Sequence, residues 1–160
     1  RLARNGCELI SRGKRHDVPQ EELNALMIGK AREGKCVVRL KGGDPYIFGR
    51  GGEEAEALAA AKVPFEVVSG VSSISAALNA AGIPLTHRDH CSNFTVFTGH
   101  EGEGKTTSSL DFDQIACTSG TKVILMGVTH IGEVTRALLA RGVASEARVL
   151  SACAFSLASR

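Results

Sequence analysis

Apolar residues along this chain alternate between the helical period and short continuous runs. Leu23, Leu26, Met27 and Ala31 recur on one helical face and Gly34 follows, which predicts a helix opened by Asp17-Val18-Pro19-Gln20. Asp17 is the expected cap, Pro19 suits the first turn and Gln20 stands at the capping-box position. The run at residues 36–40 then reads as a short buried strand. Residues 53–61 read as a helix with acidic residues in its first turn, and residues 63–68 as a second strand. Ser72 is placed to cap a helix carrying Ile74, Ala77, Leu78 and Ala81, which Gly82 and Pro84 end. Strand, helix, strand, helix predicts a parallel sheet with crossover helices.

Residues 85–93 are polar and without period, as in a connection between domains. Beyond them the pattern predicts a strand at residues 94–98 and a loop with at most a short helix over 99–120. A strand follows at 122–126, then a helix over 129–141 with Ile131, Val134, Leu138 and Leu139 inward. Residues 147–160 have the pattern of one further strand. The expectation is an α/β chain in two parts, a first domain at residues 1–88 and a second, mixed α/β domain at residues 89–160.

Composition narrows the functions. At 160 residues, 43% of them hydrophobic, and with a formal charge of +2, the chain suits a folded core and gives no sign of a nucleic-acid surface. No run approaches the roughly 20 apolar residues of a membrane span. The chain opens at Arg1 without an initiator Met or a signal peptide, so a piece of a longer polypeptide is expected. Five separated cysteines with no C-x-x-C pair argue against a disulfide framework or a zinc site, and for buried, reduced thiols in a cytosolic protein.

The stretch that ordinary helices and strands would not need is Arg39-Leu40-Lys41-Gly42-Gly43-Asp44-Pro45-Tyr46-Ile47-Phe48-Gly49-Arg50-Gly51-Gly52-Glu53-Glu54. A strand that breaks into a glycine-rich loop before a helix is where open α/β sheets hold ligands, because glycine lets the backbone itself approach. Asp44 puts a carboxylate at the mouth. This stretch resembles the signature of the tetrapyrrole methylases, and most closely of the uroporphyrinogen-III C-methyltransferase family. Val68-Ser69-Gly70-Val71-Ser72-Ser73 and Ala81-Gly82-Ile83-Pro84-Leu85-Thr86-His87-Arg88 agree in order and spacing. The likeness runs from about Gly13 to about Gly142.

The resemblance implies a two-domain homodimeric cytoplasmic enzyme with ligands in the cleft between its domains. Its reaction would transfer methyl groups from S-adenosylmethionine to two pyrrole-ring carbons of uroporphyrinogen III, giving precorrin-2 for sirohaem and cobalamin. It assigns cofactor contacts to Gly42, Gly43, Asp44, Ile47, Ser72, Ser73 and Met126. Contacts to the substrate's carboxylates fall to Arg50, Thr86, His87 and Arg88. Neither a metal, nor a membrane, nor a nucleic acid is implied. Judged by residue type, Met126 equally suits core packing, Ser72 a helix cap, and Arg50 an ion pair with Glu53 or Glu54.

Departures bear on the catalytic groups. The family's opening glycine- and proline-rich loop, its first strand and an Asp resembling a base would lie before Arg1. Ser11 occupies the position of a family lysine, which leaves Lys14, reached by a local slip, as the candidate proton donor. After Gly142 the family's next strand is not recognisable. A non-catalytic remnant that binds cofactor or dimerises is therefore an alternative. So is a nucleotide hydrolase, because Gly99-His100-Glu101-Gly102-Glu103-Gly104-Lys105-Thr106 satisfies the phosphate-loop pattern. Against the latter stand a poor following helix, no acidic residue after the next strand, and two glutamates within the loop.

Overall fold

Residues 3–11, 18–101 and 109–143 are described by the computed structural model, and the chain divides into two units, Arg1–Ser69 and Gly70–Arg160. The first carries helices α1 (Gln20–Arg32) and α2 (Gly51–Ala60). Helix α1 starts later than the capping-box pattern suggests. Pro19, with ψ at 142°, is itself the N-cap and offers no side-chain bond, so Gln20 is the first helical residue. Asp17 lies outside the described residues. Met27 is buried, and Leu23, Leu26 and Ala31 are half-buried on the expected face. Gly34, at φ +76°, ends the helix as predicted: its N–H donates to Ala31 and that of Lys35 to Lys30.

The predicted strands at residues 36–40 and 63–68 are corrected, since neither forms a ladder among the described residues. An apolar run becomes a strand only when a neighbouring chain accepts and donates its hydrogen bonds. Here Val38, Leu40 and Val68 stand exposed. Helix α2 begins two residues before its predicted start, because Arg50 takes the left-handed conformation at the N-cap.

The second unit carries α3 (Ser73–Ala80), β1 (Phe94–Thr98), α4 (Phe112–Cys117), β2 (Thr121–Leu125) and α5 (Ile131–Leu139). Strands β1 and β2 run parallel, Phe97 opposite Ile124, with α4 in the crossover between them, so the chain is α/β with a parallel sheet. The sheet forms in this unit rather than around residues 36–68. Phe97, Ile115, Val134 and Leu138 make the core, with Leu110, Phe112, Ile124 and Val143 packed against it. Phe97 meets Phe112 edge to face, the ring centroids 6.5 Å apart. On α5, Val134 and Leu138 point inward as expected, whereas Leu139 is exposed: one residue on from Leu138 is about 100° round the helix.

Helix α3 starts where the sequence put it. Ser72 Oγ accepts from Ile74 N at 3.2 Å, and Ser72→Ala is expected to cost about 1 kcal/mol in urea unfolding. The short α4 is capped by Asp111, whose carboxylate accepts from Asp113 N and Gln114 N. The thiols depart from expectation. Cys7, Cys36 and Cys117 are free and exposed, and Cys91 is half-buried, its sulfur 3.6 Å from Thr121 Oγ1. No helix among the described residues is long and apolar enough to cross a membrane.

Candidate functional site

The glycine-rich loop of the first unit is wound around one carbonyl. Pro45 O accepts from Gly51 N at 3.0 Å, and a Cβ at Gly49 or Gly51 would lie 2.7 or 2.4 Å from that same oxygen. Only glycine fits either position. Asp44 closes the preceding turn, its carboxylate accepting from Tyr46 N at 2.9 Å and its carbonyl from Ile47 N. Phe48 and Arg50 both adopt positive φ, 51° and 57°, a conformation that costs a residue with a Cβ about 1 kcal/mol and persists only when the surroundings impose it. The loop is thus held in one shape before any ligand arrives. Its outer side is open: no heavy atom lies within 4 Å of a Cβ built on Gly42, and Tyr46, Ile47 and Phe48 are exposed.

Arg50 and Glu53 form a two-point ion pair at 2.6 and 2.9 Å. Its hydrogen bonds lower the pKa of Glu53 and raise that of Arg50. Both side chains stay more than half exposed. Glu54 differs: it is 5% exposed and surrounded by donors. Lys41 Nζ lies 2.9 Å from each of its oxygens, while Gln20 Nε2 and Arg39 Nε approach Oε1 at 3.2 Å. Burial pushes the Glu54 pKa up, but Lys41, Gln20 and Arg39 together outweigh it and hold the group below the ordinary carboxylate value.

In the second unit the carboxyl ends of β1 and β2 are pinched together. Gly99 N donates to Leu125 O at 2.7 Å, and a Cβ on Gly99 would lie 2.4 Å from Gly127 Cα. Met126, between them in sequence space at the end of β2, takes φ 54° and is 52% exposed, so core packing is not its role. Ser72 uses an acceptor site of its hydroxyl for the cap, which leaves the O–H to donate elsewhere. Ser73 is the exposed first residue of α3. Thr86, His87 and Arg88 are exposed at a tight antiparallel turn in which His87 and Cys91 exchange backbone bonds at 2.9 Å. His87 Nδ1 accepts from Asp89 N at 3.2 Å.

The sequence pattern of the family described as Tetrapyrrole (Corrin/Porphyrin) Methylases matches residues 7–156. This chain belongs to the tetrapyrrole methylase family. A methylase from Methanosarcina barkeri, the S-adenosyl-L-methionine-dependent uroporphyrinogen III methyltransferase, is 50% identical over 146 residues, covering 89% of this chain and 57% of its own. The uroporphyrinogen-III C-methyltransferase of Methanocaldococcus jannaschii is 47% identical over 140 residues, covering 86% of this chain and again 57% of its own. The chain therefore spans somewhat over half of these relatives. A crystal structure of the Thermus thermophilus uroporphyrin-III C-methyl transferase complexed with S-adenyl homocysteine superposes with a TM-score of 0.65 at 43% identity, over 77% of this chain and 52% of that one.

Within this member of the family the loop brings Gly42, Gly43, Asp44, Ile47 and Arg50 together in the first unit. Ser72, Ser73, the 86–88 turn and Met126 belong to the second. Lys14 lies outside the described residues, as do Lys105 and Thr106. The phosphate-loop alternative is set aside, because the family pattern that matches residues 7–156 and the relatives above are those of methylases.

Two groupings were missed by the sequence reading. One is the Glu54 cluster, for which the only signal was three polar or cationic residues upstream of a double glutamate. The other is a cleft of about 470 Å³ lined by His100, Glu101, Phe112, His130 and Glu133, in which the rings of His100 and His130 stack 6.1 Å apart. Its signal was a histidine shortly after the end of each parallel strand.

Proposed function

We propose that this chain is the part of an S-adenosylmethionine-dependent uroporphyrinogen-III C-methyltransferase that supplies the glycine-rich cofactor loop, acting in the formation of precorrin-2 for sirohaem and cobalamin. The observation that carries this reading is the loop wound on Pro45 O, in a chain half identical to a methyltransferase of that name. The fit to the cofactor rests on the open side of the loop: open space at Gly42 and exposed Ile47. S-adenosylmethionine supplies the methyl group and a good leaving group.

The chain's own residues bind and orient. Gly42 and Gly43 present backbone groups, Asp44 holds the turn and offers a carboxylate, and Ile47 gives an apolar face. Ser72 and Ser73 offer hydroxyl donors, and Met126 a second apolar face. Arg50, Thr86, His87 and Arg88 are the substrate-side groups for a polycarboxylate. Of these, Arg88 makes no ion pair among the described residues, whereas Arg50 would have to share its guanidinium with Glu53. Residues 1–88 and 89–160 are the two functional parts in this reading, the working form is a homodimer, and the compartment is the cytoplasm.

The test is methyl transfer. The full chain is incubated with methyl-labelled S-adenosylmethionine and uroporphyrinogen III, and label is expected in the tetrapyrrole. Asp44→Ala, which removes both the turn acceptor and the carboxylate, is expected to lower transfer about a hundredfold. Equal transfer by Asp44→Ala and the unaltered chain would refute the assignment of the loop.

A further inference from the structure

We propose that Glu54 is a positioning residue: from the first turn of α2 its carboxylate holds Lys41 at the head of the glycine-rich loop and so fixes the path of Gly42, Gly43 and Asp44. This rests on the reading of that loop as the cofactor site.

The loop is tied to the start of α2 at both of its ends. At the exit the tie is backbone, Gly51 N to Pro45 O at 3.0 Å. At the entrance it is the Lys41 ammonium, 2.9 Å from each Glu54 oxygen. Neither partner is a surface group: the side chains of Lys41 and Glu54 are 10% and 7% exposed. A buried pair of this kind is not a cheap source of stability, because desolvating two charges offsets most of their attraction, and apolar residues of the same size would hold the fold about as well. What it supplies is direction. Two short bonds to one ammonium, with Gln20 and Arg39 orienting the carboxylate from its other sides, leave Lys41 one position. Gly42 follows immediately, with open space where a side chain would be. Two glycines in succession have little conformational preference of their own, so their course is dictated by what holds the residue before them and by the Asp44 turn after them. The pair also commits the Lys41 ammonium, which is therefore not a cation for the substrate's carboxylates.

The experiment titrates the full chain with S-adenosylhomocysteine and follows amide hydrogen exchange. Four proteins are compared: the unaltered chain, Glu54→Gln, Glu54→Asp, and Leu138→Val as a core variant of the second unit. Glu54→Gln is expected to bind about tenfold or more weakly and to speed exchange at residues 42–47. Glu54→Asp, which keeps the charge but not the reach, is expected to fall between it and the unaltered chain. Leu138→Val, destabilised elsewhere, should bind normally. Affinity within twofold of the unaltered chain in Glu54→Gln, or an equal loss in Leu138→Val, would overturn the proposal. If the unaltered chain binds no S-adenosylhomocysteine, the functional reading falls. The clamp is then decided by exchange alone, where faster exchange at 42–47 in Glu54→Gln supports it and unchanged exchange overturns it. Should Glu54→Gln not fold, Glu54→Asp decides by the same two readouts.

Discussion

Glu54→Ala is expected to cost about 4 kcal/mol of folding stability, read as a fall in the urea midpoint at neutral pH. The loss comes mainly from what remains. Lys41, only 10% exposed, loses both acceptors, and Gln20 and Arg39 lose the oxygen they share. The neighbouring Glu53→Ala is the control. It breaks an ion pair whose partners are both more than half exposed, and its cost is expected to stay within about 0.5 kcal/mol. A pH dependence follows from the same carboxylate. Its folded pKa lies below the unfolded one, so its contribution is fully present above the ordinary carboxylate range and is lost as pH falls through the lowered folded value. Urea midpoints of the unaltered chain should therefore decline on acidification below about pH 4.5. In Glu54→Ala that part of the decline should be missing. Equal costs for Glu53→Ala and Glu54→Ala would contradict the burial of the cluster.

The second large effect is expected from Gly99→Ala, at about 3 kcal/mol. The added Cβ would lie 2.4 Å from Gly127 Cα and 3.1 Å from Gly127 N, both backbone atoms that no rotamer change can move aside. Relief requires β1 and β2 to part at their carboxyl ends, which stretches the 2.7 Å bond from Gly99 N to Leu125 O and shifts Met126. Gly132→Ala serves as comparison: no heavy atom lies within 4 Å of its Cβ, and inside α5 alanine is the better helix former by about 1 kcal/mol. Urea unfolding of the two variants should thus shift in opposite directions. A neutral Gly99→Ala would show that the strand ends are not in contact.

The helices were legible in the sequence because their signals are local. Ser72 capped α3, Gly34 and Gly82 closed α1 and α3 with left-handed turns, and the spacing of Val134 and Leu138 marked the inner face of α5. The two strands were legible too, as apolar runs at residues 94–98 and 122–126, but their parallel pairing was not, since it depends on the crossover through α4. The runs at residues 36–40 and 63–68 failed as strands for the opposite reason: apolar character says that a segment seeks burial, and only a hydrogen-bonded neighbour makes it a strand. At the site, the glycine loop was readable because glycines at 49 and 51 leave a mark in composition. Which of two adjacent glutamates turns inward was not readable. Glu53 and Glu54 differ by about 100° around α2, and only the packing of α1 and Lys41 decides that Glu54 is the buried one.

The measurement that tests the central claim most directly is calorimetric titration of the purified full chain with S-adenosylhomocysteine, run in parallel with ATP and magnesium and repeated on Asp44→Ala. The account predicts saturable binding of S-adenosylhomocysteine, its loss in Asp44→Ala, and no heat from ATP. Binding of ATP alone, or binding of S-adenosylhomocysteine that Asp44→Ala leaves intact, would contradict it.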